Sequence, residues 1–159
     1  MTRLAVTGHR GLSQATNALV EDALRTEINK RSAGDLIGLS CLADGADTLF
    51  ARAIVDRGGA LHVIVPAREY RDSLPADHHA TYDALLAKAA RVIALDRVES
   101  NSDEHMEASL RMLGEADELF AVWDGLPARG YGGTADVVNA ARERGMPITV
   151  LWPAGAERG

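Results

Sequence analysis

The chain has a single cysteine, Cys41, which excludes an intramolecular disulfide framework and any cysteine-cluster metal site. Aromatic residues make up only 4% of its 159 residues, so the core has to be aliphatic. No apolar run approaches the roughly 18–20 residues that cross a bilayer. The opening Met1-Thr2-Arg3-Leu4-Ala5-Val6 enters a strand-like segment without a signal-peptide core. A cytoplasmic location and no membrane partner are therefore expected. A surplus of positive charge is also missing: 17 basic against 23 acidic residues give a formal charge of −6. Broad nucleic-acid binding is disfavoured on that balance, although a local cation can still hold a phosphate. His78-His79 and His105 lack a compact carboxylate cluster at ligand spacing, so no metal is expected. No cofactor is expected either.

What is present is a regular alternation of short apolar runs and helical stripes. Leu4 to Thr7, Leu36 to Cys41, Leu61 to Val65, Val92 to Leu95, Leu119 to Trp123 and Ile148 to Leu151 read as strands. Between them, Val20, Leu24 and Ile28 recur at a spacing of four behind Ser13, a plausible N-cap. Leu49, Phe50, Ala53 and Ile54 form a second stripe, stopped by Gly58-Gly59; Tyr82, Leu85, Leu86 and Ala89 form a third. Met106, Leu110 and Leu113, then Val137, Val138 and Ala141, complete the set, with Gly145 and Pro147 ending the last helix. Strands that are apolar throughout, and that alternate with helices, predict a mostly parallel sheet of about six strands covered on both faces. The expected fold is a three-layer, Rossmann-like α/β domain over residues 1–152, followed by a frayed tail over 153–159. The stretch from Pro66 to Asp77 reads as a polar loop.

In such a sheet a ligand sits beyond the carboxyl ends of the strands, near the point where strand order reverses. The unusual residues collect at those ends. Thr7-Gly8-His9-Arg10 follows the first strand and puts a cation where an anion would lie, and arginine can grip phosphate or carboxylate with two parallel hydrogen bonds. Asp44-Gly45-Ala46-Asp47 follows the second strand; one aspartate is expected to cap the helix and the other to reach a ribose hydroxyl or orient His9. Pro66, Arg68 and Tyr70 follow the third. Trp123-Asp124-Gly125 ends the fifth strand and opens a glycine-rich loop, Gly130-Tyr131-Gly132-Gly133-Thr134, with Asp136 in the helical turn beyond it. Glycines before a helix N-terminus let a phosphate approach free backbone N–H groups at the positive end of the helix dipole, and Thr134 adds a hydroxyl or an N-cap. Neither a Walker motif nor Gly-x-Gly-x-x-Gly after the first strand is present, which argues against a P-loop NTPase or an ordinary dehydrogenase.

Thr7-Gly8-His9-Arg10, Asp44-Gly45-Ala46-Asp47, Trp123-Asp124-Gly125 and Gly132-Gly133-Thr134-Ala135-Asp136, in this order after successive strands, resemble the SLOG superfamily. This group of Rossmann-like proteins includes the DNA-processing protein DprA and the LOG nucleotide phosphoribohydrolases, formerly called lysine decarboxylase-like. The resemblance implies a nucleotide-related ligand over the carboxyl edge, with the Gly132-Gly133-Thr134 loop on phosphate. It also makes a homodimer plausible. The chain departs from the LOG pattern where that family places a glutamate, here Val137, and where it places an Arg-Lys pair, here Ala108-Ser109.

Three functions follow as expectations. The first is a sensor or binding module for a nucleotide or a nucleotide-derived ligand such as an ADP-ribose derivative. Its ligand-binding residues would be Thr7, Gly8, His9, Arg10, Gly45, Asp47, Pro66, Trp123, Asp124, Gly132, Gly133 and Thr134, with Trp123 or Tyr131 near the base. The second is a nucleoside 5′-monophosphate N-glycosidic hydrolase in which Asp136 or Asp47 supplies the carboxylate. The third is a dimeric interaction module with a vestigial pocket.

Overall fold

The computed structural model describes residues 2–128 and 130–158. Six strands form one sheet: β1 (Thr2–Gly8), β2 (Leu36–Ser40), β3 (Ala60–Val65), β4 (Arg91–Ala94), β5 (Glu118–Val122) and β6 (Ile148–Val150). Every pairing is parallel, in the order β4-β3-β2-β1-β5-β6. Six helices connect them: α1 (Gln14–Asn29), α2 (Ala46–Arg57), the single turn α3 (Tyr70–Ser73), α4 (His79–Ala87), α5 (Ser102–Gly114) and α6 (Thr134–Glu143).

The alternation of side chains along each strand divides the core between two faces. Leu4 and Val6 of β1 join Phe120 and Val122 of β5 beneath Val20, Leu24 and Ile28 of α1 and Phe50 and Ile54 of α2. Ala5 of β1, Leu39, Ile64 and Leu119 point to the other side, under Met106 and Met112 of α5 and Val137 and Ala141 of α6. The two faces explain why the strands carry no polar alternation. Phe50 and Phe120 meet edge to face at 6.2 Å and are among the few aromatics in an otherwise aliphatic interior.

Several local expectations hold. Ser13 caps α1, its hydroxyl accepting from the Thr16 N–H at 3.2 Å. Gly58 closes α2 in the left-handed conformation, and Gly145 follows α6 with φ +68°. Others require correction. Neither Asp44 nor Asp47 side-chain caps α2, whose N-cap is Gly45 at φ +89°. Thr134 is not the cap of α6 but its first helical residue, behind Gly133. The segment after Pro66 is not a plain loop: it contains α3 and a 3-10 turn at Ala76–His78, and it buries Tyr70 and Leu74 against the core. Its polar residues misled the sequence reading because they outnumber the large inward side chains, Tyr70, Leu74 and His78.

The tail is corrected as well. Over the described residues 153–158 it does not fray but runs back over α1. Thr16 donates its hydroxyl to the Glu157 carbonyl at 3.3 Å and accepts from the Glu157 N–H at 3.0 Å, a two-way clamp from a buried side chain. Trp152 sets its ring edge-on to His9 at 5.4 Å. Gly159 lies outside the described residues.

Candidate functional site

Strands β2, β3 and β4 extend to one side of β1, while β5 and β6 lie on the other, so strand order reverses between β1 and β5. A cleft of about 230 Å³ opens at this reversal, over the carboxyl ends of the strands. Thr7, Gly8, His9 and Arg10 line it after β1; Asp47 lines it from the first turn of α2, Pro66 from the end of β3, and Gly132, Gly133 and Thr134 from the start of α6. These nine expected residues therefore share one cavity. Gly45, Trp123, Asp124 and Asp136 do not line it.

Each of those four has a different task. A Cβ at Gly45 would lie 2.6 Å from the His9 carbonyl oxygen, so the loop before α2 packs directly on the backbone after β1. Trp123 donates its indole N–H to the Leu126 carbonyl at 2.8 Å and carries the Arg142 guanidinium over its ring, which fixes the turn after β5. Asp136 accepts from the Gly132 N–H at 2.9 Å, holding the glycine loop in its own helical turn. Asp124 stands behind His9, with Oδ1 3.2 Å from Nε2.

His9 is buried at the centre of this arrangement. With Nε2 protonated it donates to the Asp124 carboxylate; with Nε2 bare it accepts from the Asp124 N–H, also at 3.2 Å. Its Nδ1 lies 3.5 Å from the Thr134 hydroxyl, so β1, β5 and α6 are tied together through one ring. Burial acts to raise the Asp124 carboxyl, but the Leu126 N–H, His9 and Arg158 outweigh it and hold the group below the usual carboxylate range.

Arg10 is partly exposed and is anchored by Asp44, whose Oδ1 accepts from Nε at 2.8 Å while Oδ2 accepts from the Gly11 N–H at 3.1 Å. Asp44 thus shapes the loop that presents Arg10. Asp47 accepts from the Ala43 N–H at 3.3 Å and keeps some exposed surface, toward the cleft. Burial, with help from Asp44, pushes its carboxyl up to about 7 against the opposing effects of the Ala43 N–H and Arg10. Cys41 also lines the cleft, but burial and the Asp47 charge push its thiol up, so it is no nucleophile near neutral pH.

Helix α6 starts at the cleft with no side-chain bond from its N-cap Gly133, and the Asp136 carboxylate of its first turn is folded back onto the Gly132 N–H. Gly132 adopts φ +82°, and a Cβ on it would come within 3.1 Å of the Ser102 carbonyl oxygen. The glycine is thus required by the packing of its loop on α5 as well as by its place on the cleft.

The sequence reading put Tyr70 at the end of the third strand without a role, and missed the cleft residues of α5, His105, Ser109 and Met112, and Arg158 from the segment expected to fray. Tyr70 packs edge-on against His105 at 5.5 Å, and His105 pairs with the Ser100 hydroxyl at 2.7 Å. Burial and the nearby Arg10 lower the His105 pKa, which favours a neutral ring. The helical spacing of His105, Ser109 and Met112 placed all three on one face of α5, which was the available signal. His78 is also buried: it meets the Leu42 carbonyl at 2.9 Å and supports the loop carrying Asp47.

The solved structures that resemble this chain share that architecture. DprA from Streptococcus pneumoniae superposes with a TM-score of 0.69 at 16% identity, over 98% of this chain and 52% of its own. DprA from Helicobacter pylori, described in a single-stranded DNA binding mode, gives 0.71 at 12% identity, over 99% and 68%. A molybdenum cofactor binding protein from Rippkaea orientalis gives 0.62 at 14% identity, over 96% and 77%. This chain has the Rossmann-like fold of these proteins. It spans about half the length of the streptococcal DprA. No family model matches the sequence, and no curated protein does. Ser109, where the resemblance led one to look for a cation, lies on the cleft wall beside His105 and Met112, so α5 brings no permanent cation to the cavity.

Proposed function

We propose that the protein binds a nucleotide or nucleotide-derived ligand, such as an ADP-ribose derivative, in the cleft at the carboxyl edge of the sheet, as a sensor or binding module. The observation that carries this reading is the convergence of Arg10 and the uncapped N-terminus of α6, behind Gly132 and Gly133, on one cavity at the strand-order reversal. An oxyanion there meets a guanidinium and backbone N–H groups, and the dipole of α6 favours its charge. Tyr70, His105 and Met112 give the far wall a weakly polar, partly aromatic surface on which a base can pack. That a molybdenum cofactor binding protein and DprA share the fold supports ligand capture by this architecture, without fixing the ligand.

The reading is tested by incubating the protein with nucleoside monophosphates, dinucleotides and ADP-ribose and identifying retained compounds by native mass spectrometry. Arg10→Ala should weaken the retained ligand by about 1.5–3 kcal/mol, roughly 10- to 150-fold, the magnitude of a charge-assisted hydrogen bond. Equal affinity in the variant would remove Arg10 from the site.

One observation favours a second reading, N-glycosidic hydrolysis of a nucleotide. Asp47 faces the cleft with its carboxyl pushed up to about 7, which suits a general acid at neutral pH. Water would add to the anomeric carbon as the C–N bond breaks, the Asp47 proton would pass to the departing base, and the proton shed by the water would restore Asp47. Free base found in the same incubation, and lost in Asp47→Asn, supports turnover; its absence with every nucleotide leaves binding alone. Asp136 is less suited to this role, because its carboxylate is engaged by the Gly132 N–H.

A further inference from the structure

Arg158 reaches the cleft from the segment that Thr16 clamps to α1. Its side chain is only 15% exposed, an unusual place for a guanidinium that serves no purpose. One nitrogen carries its protein contacts: Nη1 donates to the Pro127 carbonyl at 3.3 Å and stands 3.6 Å from Asp124 Oδ2. Nε and Nη2 have no hydrogen-bond partner among the described residues, and neither is sealed from solvent. The guanidinium is therefore fixed at one corner and open along the edge that grips oxyanions in pairs.

Its position relative to Arg10 adds a second constraint. Arg10 is held by Asp44 on the β2 side of β1, whereas Arg158 is held by Asp124 on the β5 side. These flanking strands lie two sheet spacings apart, about 10 Å at the backbone. The two cations thus approach the end of β1 from opposite sides, with the start of α6 lining the same cavity. From anchors that far apart, two linked phosphates can give each cation its own group, whereas a monophosphate offers a single group for both.

We infer that Arg158 is an anion-binding residue of the cleft, and that with Arg10 it selects a ligand bearing a diphosphate over one bearing a monophosphate. This rests on the nucleotide-binding reading and deepens it by naming the ligand class. Asp124 then acts as a positioning residue, holding Arg158 through Oδ2 and His9 through Oδ1.

The test is isothermal titration of the full chain, as wild type, Arg158→Ala, Arg158→Lys and Arg10→Ala, with ADP, AMP and inorganic pyrophosphate. Wild type should bind ADP at least tenfold more tightly than AMP. Arg158→Ala should bring that ratio near one while changing AMP affinity less than about twofold, and Arg158→Lys should restore part of it. Arg10→Ala should weaken both nucleotides. A merely structural Arg158 would lower both affinities together or neither, so an unchanged ADP-to-AMP ratio in Arg158→Ala overturns the inference while nucleotide binding stands. Arg158-dependent binding of pyrophosphate without either nucleotide upholds the anion site and defeats the nucleotide reading. Failure of wild type to bind any of the three overturns both.

Discussion

Asp47 shows how one side chain can record both stability and function. Its carboxyl ordinarily titrates near 3.8, but in the folded protein it is pushed up to about 7, chiefly by burial. The folded state therefore holds this proton more tightly than the unfolded chain, and Asp47 makes stability fall as pH rises from about 4 to about 7. Asp47→Asn should flatten that fall, measurable as a smaller loss in urea midpoint between pH 5 and pH 8 than the wild type shows. An identical loss in both proteins would mean that Asp47 titrates normally. A ligand phosphate should likewise bind better below pH 7, where Asp47 is neutral, and lose this dependence in the same variant. The sequence could place Asp47 near the carboxyl edge, because a Gly-x-Asp stretch after an apolar strand opens a helix. It could not show the desolvation, which comes from the 41–44 loop and from side chains far away in the chain. The same limit explains Asp136: its first-turn position was legible, but its bond to the Gly132 N–H depends on how the glycine loop folds back.

At the level of elements, the strands and long helices were legible because hydrophobic periodicity reports burial directly. The parts that were not legible are segments with few large buried side chains. Tyr70, Leu74 and His78 anchor α3 and the following turn, and the 152–158 segment is held by Trp152 and by backbone bonds to Thr16. These segments bring Tyr70 and Arg158 to the cleft, two residues that a reading based on motifs did not assign to the ligand. The junction of β1 and α2 leaves no room for a side chain at Gly45. Gly45 combines a left-handed backbone with a missing Cβ that would strike the His9 carbonyl, and Ala46 donates its N–H to that same carbonyl at 3.3 Å. Gly45→Ala should cost on the order of 2 kcal/mol or more, combining positive-φ strain with a displaced loop. Chemical denaturation checks this, and a change below about 0.5 kcal/mol would show that the loop accommodates a side chain freely.

Across the whole molecule, the all-parallel sheet and its two-faced core follow from apolar strands that must be covered on both sides. Strand order then dictates where a ligand can enter, since only the β1 and β5 ends lie at the reversal. The formal charge of −6 sets this chain apart from a protein that depends on a long basic surface, even though DprA shares its fold. The two arginines at its cleft, Arg10 and Arg158, stand beside one carboxylate each, Asp44 and Asp124. The measurement closest to the central claim is backbone amide shift mapping while ADP is titrated into the isotope-labelled protein. The account predicts saturable shifts at His9, Arg10, Gly132, Gly133 and Thr134, with no change around Arg3, His62 and Arg91 on the distant part of the sheet. The absence of saturable shifts, or shifts centred on that distant group, would contradict it.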